Sequence, residues 1–293
     1  MSLTPELQQL IDNALCKEKI IGLLAPSFPV DFAYPQIILD LKKMGIAKIV
    51  ELTYAAKLIN MEYEKILKEN PSKRYICPNC PTIVKIIEFK YPELKENIIN
   101  VASPMVVMDR FIKKQYGPEW KTLFIGPCLA KKMEAKEYWI DYAITFKELQ
   151  DIFDYNKENN IKPQEFTYSV TEDGTPDFDH FYNDYTKIYP LSWWIAESLH
   201  YKWTLTRDQV YVVDGPVQID AGIQEFKNNK NIRFLDILAC EWWCIGGPGM
   251  ISKEAIEVKR QKVLDYKDYC KKDKIWSKLG KFEYSEGLDI TRE

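Results

Sequence analysis

The sequence predicts an α/β protein with largely parallel sheets. Two observations carry this. Short apolar runs alternate with amphipathic stretches along the chain, so strands alternate with helices. The 293 residues also suffice for one large domain or two lobes with a sizeable core.

The elements follow in order. Residues 4–16 set Leu7, Leu10, Ile11 and Leu15 on one helical face, with Thr4 as N-cap and Pro5 as first helical residue. Ile20 to Ala25 is a buried strand ending at Pro26. Residues 34–44 read as a helix closed by Gly45, and Ala47 to Leu52 as a strand. A helix over 54–69 stops at Asn70-Pro71, and an amphipathic stretch runs from Pro81 to Tyr91. Met105 to Tyr116 is a helix ended by Gly117-Pro118, followed by a strand from Thr122 to Ile125. In the second half, Trp139 to Thr145 is a strand and Phe146 to Phe153 a helix. Residues 154–188 are polar and irregular, the best candidate for an exposed excursion. Val210 to Asp214 is a strand, 216–228 a helix, Ile232 to Ala239 a strand, and Ser252 to about Lys272 a charged helix.

Composition narrows the function. The chain is 46% hydrophobic and 28% charged, with 40 basic and 43 acidic residues and a net charge of −3. No basic stripe suits a phosphate backbone, which argues against nucleic acid as a partner. No apolar run reaches membrane-spanning length, and no basic segment leads into an apolar one at the N-terminus. The expected setting is therefore cytoplasmic, without a membrane partner. No glycine-rich phosphate loop follows the first strand, so nucleotide binding has no support.

Seven cysteines are too odd a set for a disulfide framework in such a chain, and only His180 and His200 could add imidazole. Any metal site would lean on sulfur. Three segments stand out, each after a strand or where a turn meets a helix: Cys77-Pro78-Asn79-Cys80-Pro81, Gly126-Pro127-Cys128, and Cys240-Glu241-Trp242-Trp243-Cys244 with Ile245-Gly246-Gly247-Pro248-Gly249 after it. Open α/β sheets gather ligands at the carboxyl ends of strands. Cubane clusters need thiolates from separate directions, and Pro- and Gly-rich turns opening onto helices supply N–H groups to them. The spacing alone leaves alternatives open. Cys128 could be a core filler, and Cys77 with Cys80 a zinc half-site or a redox pair.

At these residues the chain resembles the iron-only (FeFe) hydrogenases. Their first motif, Thr-Ser-Cys-Cys-Pro-x-Trp with a later Tyr-Pro-Glu-Leu, is similar to Pro78-Asn79-Cys80-Pro81-Thr82-Ile83-Val84 and Tyr91-Pro92-Glu93-Leu94. The second, Met-Pro-Cys-x-x-Lys-x-x-Glu, resembles Gly126 to Glu134. The third, Met-Ala-Cys-Pro-Gly-Gly-Cys-x-x-Gly-Gly, resembles Leu238 to Gly247. Ala25-Pro26-Ser27, Ser103-Pro104-Met105 and Tyr189-Pro190-Leu191-Ser192 fit as connecting segments, so the likeness covers roughly residues 18–255.

The resemblance implies a single domain over residues 1–293. It has two lobes of mainly parallel twisted sheet flanked by helices, about 18–126 and 127–255, and a cluster in the cleft between them. Cys80, Cys128, Cys240 and Cys244 would hold a 4Fe–4S cluster, with Cys244 bridging to a diiron unit that carries CO, cyanide and a dithiolate. Lys131 would donate to one cyanide, and Pro26 and Ser27 would contact the other. The activity implied is interconversion of protons and H2 in an anaerobic setting. No ferredoxin-like cysteine segment precedes the domain, so an external carrier such as a ferredoxin would deliver electrons.

Several positions depart from the family pattern. Asn79 stands where the proton-relay cysteine belongs, and an amide does not relay a proton near neutral pH. The upstream relay carboxylates fall near Tyr63 and Ile66. Methionines that pack on the diiron unit are Gly126 and Leu238. Loss of the relay cysteine is similar to the slow, sensory branch of the family. Trp242-Trp243 replace a Gly-Gly pair, and Trp193-Trp194 replace another, so indoles are expected either in the space of the diiron unit or packed behind it. Cys77 is extra to the motif; Cys16, Cys270, His180 and His200 read as structural, and Glu134 as a salt-bridge residue. Two functions follow as expectations: a slow or sensory hydrogenase-like enzyme, or a non-catalytic 4Fe–4S protein acting in redox sensing, assembly or binding. A thiolate zinc protein is a third.

Overall fold

The computed structural model describes residues 3–15, 18–162, 166–171, 173–181, 186–191, 204–270 and 282–292. Cys16, Ser192, Trp193, Trp194 and His200 lie outside the described residues.

In chain order the elements are α1 (Pro5–Leu15), β1 (Ile20–Leu24), α2 (Gln36–Lys43), β2 (Lys48–Glu51), α3 (Thr53–Glu69), β3 (Tyr75–Ile76), α4 (Pro81–Lys90), α5 (Pro104–Tyr116), β4 (Lys121–Gly126), α6 (Ala130–Glu137), β5 (Tyr142–Thr145) and α7 (Phe146–Glu158). There follow a short antiparallel pair, β6 (Ser169–Val170) and β7 (Pro176–Asp177), then β8 (Val210–Asp214), α8 (Ile219–Asn228), β9 (Phe234–Leu238) and α9 (Ile256–Cys270).

Two parallel sheets organise the chain. The first has strand order β2-β1-β4-β5 and the second β3-β9-β8. β1 and β9 are central and buried at every position, which is why they read as unbroken apolar runs. Each sheet has its own core. The first is built on residues such as Ile21, Leu23, Val107 and Phe124; the second on Ile83, Ile87, Ile223 and Leu235. The expected α/β class with two mainly parallel sheets flanked by helices is therefore present.

The sheets do not divide at residue 126 as the sequence suggested. β5 pairs with β4 in the first sheet, and β3 pairs with β9 in the second. The chain thus crosses between the lobes more than once. A two-residue strand carries no periodicity to reveal it. α6 is likewise invisible to a hydrophobic pattern, because Ala130–Glu137 is mostly charged. α7 runs past Phe153 to Glu158, started by a capping box between Thr145 and Glu148 and met by no Gly or Pro before its end.

Topology places the site. The carboxyl ends of β1, β2 and β4 lead into Ala25-Pro26-Ser27, Leu52 and Pro127-Cys128, while β3 leads to Asn79-Cys80 and β9 to Cys240. Residues from all five ends line one cavity of about 110 Å³. Parallel strands share a direction, so their ends collect at one edge of each sheet, and here the two edges face each other across that cavity.

Candidate metal centre

Four thiols reach the cavity from separate directions: Cys80, Cys128, Cys240 and Cys244. Cys80 is the N-cap of α4, and Pro81 at the first helical position leaves no N–H to waste there. Cys128 precedes α6, and the backbone N–H groups of Lys131 and Ala130 donate to its sulfur. Cys240 follows β9, and Cys244 lies in a 3-10 turn, Trp243–Gly246.

Close backbone packing holds the last two loops against the second. Gly249 donates its N–H to the Pro127 carbonyl at 2.8 Å. A side chain at Gly249 or Gly247 would meet that same oxygen at 2.7 Å, so only glycine permits the approach.

The four sulfurs feel one another. Burial pushes the Cys240 thiol up to about 12, reinforced by Cys128 and Cys80. Burial, then Cys128, Cys240 and Cys80, drive Cys244 higher still, with Lys131 opposing. Burial raises Cys128 as well, against Lys131 and the helix N–H groups. Four thiolates in an apolar cavity repel unless a cationic core joins them, and an iron–sulfide cubane is such a core. Among the described residues no three His, Cys, Asp or Glu side chains close on a point as a single metal ion needs. The donor set, four thiols on one wall, fits an iron–sulfide cluster.

The rest of the wall is mainly apolar, with a few polar groups. Lys131 is buried and donates to Glu134 at 2.5 Å; Glu134 also accepts from Ser103 at 2.8 Å, so the expected salt bridge is present. Pro26 and Ser27 are on the wall, and the Ser27 hydroxyl is buried with no partner among the described residues. Asn79 is there too. It accepts from the Tyr63 hydroxyl at 3.0 Å and donates to the Tyr189 hydroxyl at 2.7 Å.

The tryptophans separate. Trp243 is fully buried on the cavity wall, and its indole nitrogen has no partner among the described residues. Trp242 is half exposed and lines outer grooves rather than the cavity, so of the two placements open for the indoles it does not take the one in the cluster space, and it is not the cofactor-contacting residue that the resemblance offered. Both adopt φ 62°, the left-handed conformation of a Gly-Gly pair. Holding it with a Cβ costs about 1–2 kcal/mol per residue. For Trp243, burial of the ring offsets that cost.

Cys77 is buried off the cavity wall, beside Tyr63. Cys270 lies on α9 away from the cavity, and His180 packs its ring near Phe181. Sequence reasoning gave no role to Tyr189 or Asp236, and only a loose alignment pointed to Tyr63. The lone acid in the apolar run Phe234-Leu235-Asp236-Ile237-Leu238 was the signal available.

The fold and site are those of an α/β protein with a thiol-lined cavity at the carboxyl edges of two parallel sheets. The model of the iron-only hydrogenase large subunit, C-terminal domain, matches residues 18–190, and the chain belongs to that family. Solved structures share the fold. A chain from work on oxygen inactivation of an FeFe hydrogenase superposes with TM-score 0.69 at 16% identity, over 89% of this chain and 88% of that one. The HydA(deltaEFG) chain from work on stepwise H-cluster assembly gives 0.67 at 17% identity, over 89% and 88%. A variant of HydA1 from Chlamydomonas reinhardtii gives 0.67 at 16% identity, over 97% and 92%. The third motif, with Cys240 and Cys244, lies beyond the residues the family model matches. No helix among the described residues is long and apolar enough to cross a membrane.

Proposed function

We propose that this chain holds a 4Fe–4S cluster on Cys80, Cys128, Cys240 and Cys244 and is a hydrogenase-like protein of low throughput, suited to sensing. The observation that carries the reading is the presence of all four thiols and Lys131 on one cavity wall. When bound beside the cluster, a diiron unit would supply the chemistry that interconverts protons and H2. The chain's own residues do the rest. Lys131, steadied by Glu134, presents a cation to an anionic ligand. Ser27 offers a buried hydroxyl with no other partner among the described residues. The apolar wall, including Met105, Phe124 and Leu238, excludes water. Asn79 fills the relay position with an amide that is already bonded on both sides, so protons arrive slowly. Electrons come from an external carrier of the ferredoxin kind, in the cytoplasm.

A second reading rests on Trp243, whose ring occupies wall space where the family pattern has glycine. It is a 4Fe–4S protein without the diiron unit, acting in redox sensing, assembly or binding. Anaerobic loading with iron and sulfide, then with a synthetic diiron complex, separates the two by infrared spectroscopy. Sharp CO and cyanide bands support the first. Iron uptake with no such bands supports the second, and no iron uptake rejects both.

A further inference from the structure

Behind Asn79 and Tyr189 lies a buried polar group of residues that no thiolate ligand uses: Tyr63 on α3, Cys77 after β3 and Asp236 on β9. Asp236 is completely buried, and neither carboxyl oxygen has a hydrogen-bond partner among the described residues. Among the described residues its titratable neighbours are Cys77, Tyr63 and Tyr189, all neutral when protonated, and no cation is among them. An ionised carboxylate there would have nothing to stabilise it, and burial alone drives Asp236 far above the usual carboxylate range.

Hydrogen counting gives the group a direction. Tyr63 has one hydroxyl hydrogen, and it goes to Asn79 Oδ1. In the 4.0 Å contact between Tyr63 and Cys77 the thiol must therefore be the donor. Asn79 Nδ2 donates to the Tyr189 oxygen, which leaves the hydrogen of Tyr189 for a further acceptor. Tyr189 lies on the cavity wall, which it shares with Cys244 and the other three thiols. Every bond in the string, Cys77 to Tyr63 to Asn79 to Tyr189, points the same way, toward the thiols.

We propose that the Tyr189 hydroxyl is a hydrogen-bond donor to the sulfur framework of the cavity, held in that direction by the one-way string of donors that starts at Cys77, and that Asp236, buried next to Cys77 on the paired strand, carries no charge. Tyr189 is then a positioning residue that tunes the cluster rather than a proton relay, since the amide of Asn79 interrupts any relay. Donors to cluster sulfur and the absence of a buried negative charge both raise a cluster's potential. The proposal rests on the cluster reading above.

Its two parts are tested separately. Before any iron is added, the infrared spectrum of the full chain at neutral pH should show the carbonyl band of a protonated carboxylic acid, shifted down in D2O and missing from Asp236→Asn. A spectrum without that band, or one that keeps it in Asp236→Asn, overturns the role of Asp236. After anaerobic loading with ferrous iron and sulfide, Tyr189→Phe should keep the iron content of the wild type and move the cluster's midpoint potential to more negative values. Asn79→Leu, which leaves the Tyr189 ring but removes the amide that aims its hydroxyl, should move it the same way. Potentials equal to wild type in both variants overturn the hydrogen bond. A wild-type chain that takes up no iron overturns the cluster reading and the Tyr189 bond with it, while the infrared band still decides Asp236.

Discussion

Lys187→Met removes one half of a fully buried ion pair, and the cost can be worked from its surroundings. Lys187 Nζ lies 2.6 Å from Glu51 Oε2, with side-chain exposures of 1% and 0%. Glu51 stands at the end of β2 and also accepts from Thr53 and from Tyr266, each at 3.0 Å. Tyr266 belongs to α9, so the pair ties β2 and α9 to the segment that carries Tyr189 and Pro190 on the cavity wall. Without the lysine, Glu51 keeps two neutral donors and a buried charge. Breaking such a pair costs about 3–5 kcal/mol, roughly two to three and a half powers of ten in the folding constant. A domain holds only about 5–15 kcal/mol in all. Urea unfolding followed by tryptophan fluorescence and circular dichroism at neutral pH reads the loss directly. The double variant Glu51→Gln, Lys187→Met buries no charge and should recover most of it. A loss under about 1 kcal/mol in the single variant, or a double variant no better than the single one, would refute the reasoning.

Three further outcomes follow. Gly247→Ala places a methyl 2.7 Å from the Pro127 carbonyl and should separate the loops of Cys128 and Cys244, lowering iron uptake on reconstitution while circular dichroism stays close to wild type. Trp242→Gly relieves a left-handed residue whose ring is half exposed, so its unfolding midpoint should stay within the equivalent of about 1–2 kcal/mol of wild type, with iron uptake unchanged. Asp236 gives a pH signature. Its folded carboxyl keeps its proton where the unfolded one, near pH 4, has lost it, so the folded state binds more protons and stability falls as pH rises above about 4 by up to about 1.4 kcal/mol per unit. Asp236→Asn should flatten that slope in urea titrations between pH 5 and 8, and an unchanged slope would count against a neutral Asp236.

Legibility in the sequence followed the size of the signal. β1 and β9 were readable because both faces are buried and the runs are unbroken, and α3 and α5 because their apolar faces recur at helical period. β3 was not, since two residues show no pattern, and with it went the interleaving of the two sheets. Trp139 was expected to open a strand. It instead ends α6 in a left-handed conformation with its ring exposed, and β5 starts only at Tyr142. Segment spacing marked the thiols as candidates, but that they line one cavity is a tertiary fact that depends on strand ends from both sheets. The two Trp-Trp pairs were legible as departures from glycine. Which ring faces the cavity depends on a local turn, and that turn sends Trp243 inward and Trp242 out. Tyr189 and Asp236 stayed silent because a tyrosine in a loop and an acid in a strand acquire meaning only through their neighbours.

The most direct test of the central claim is iron and acid-labile sulfide counted per chain after anaerobic reconstitution, for the wild type and for six single Cys→Ser variants. The account predicts about four irons with matching sulfide in the wild type, a marked loss for the variants at Cys80, Cys128, Cys240 and Cys244, and retention for those at Cys77 and Cys270. A wild type that binds zinc in place of a cluster, or a Cys77 variant that loses as much iron as the Cys128 variant, would contradict it.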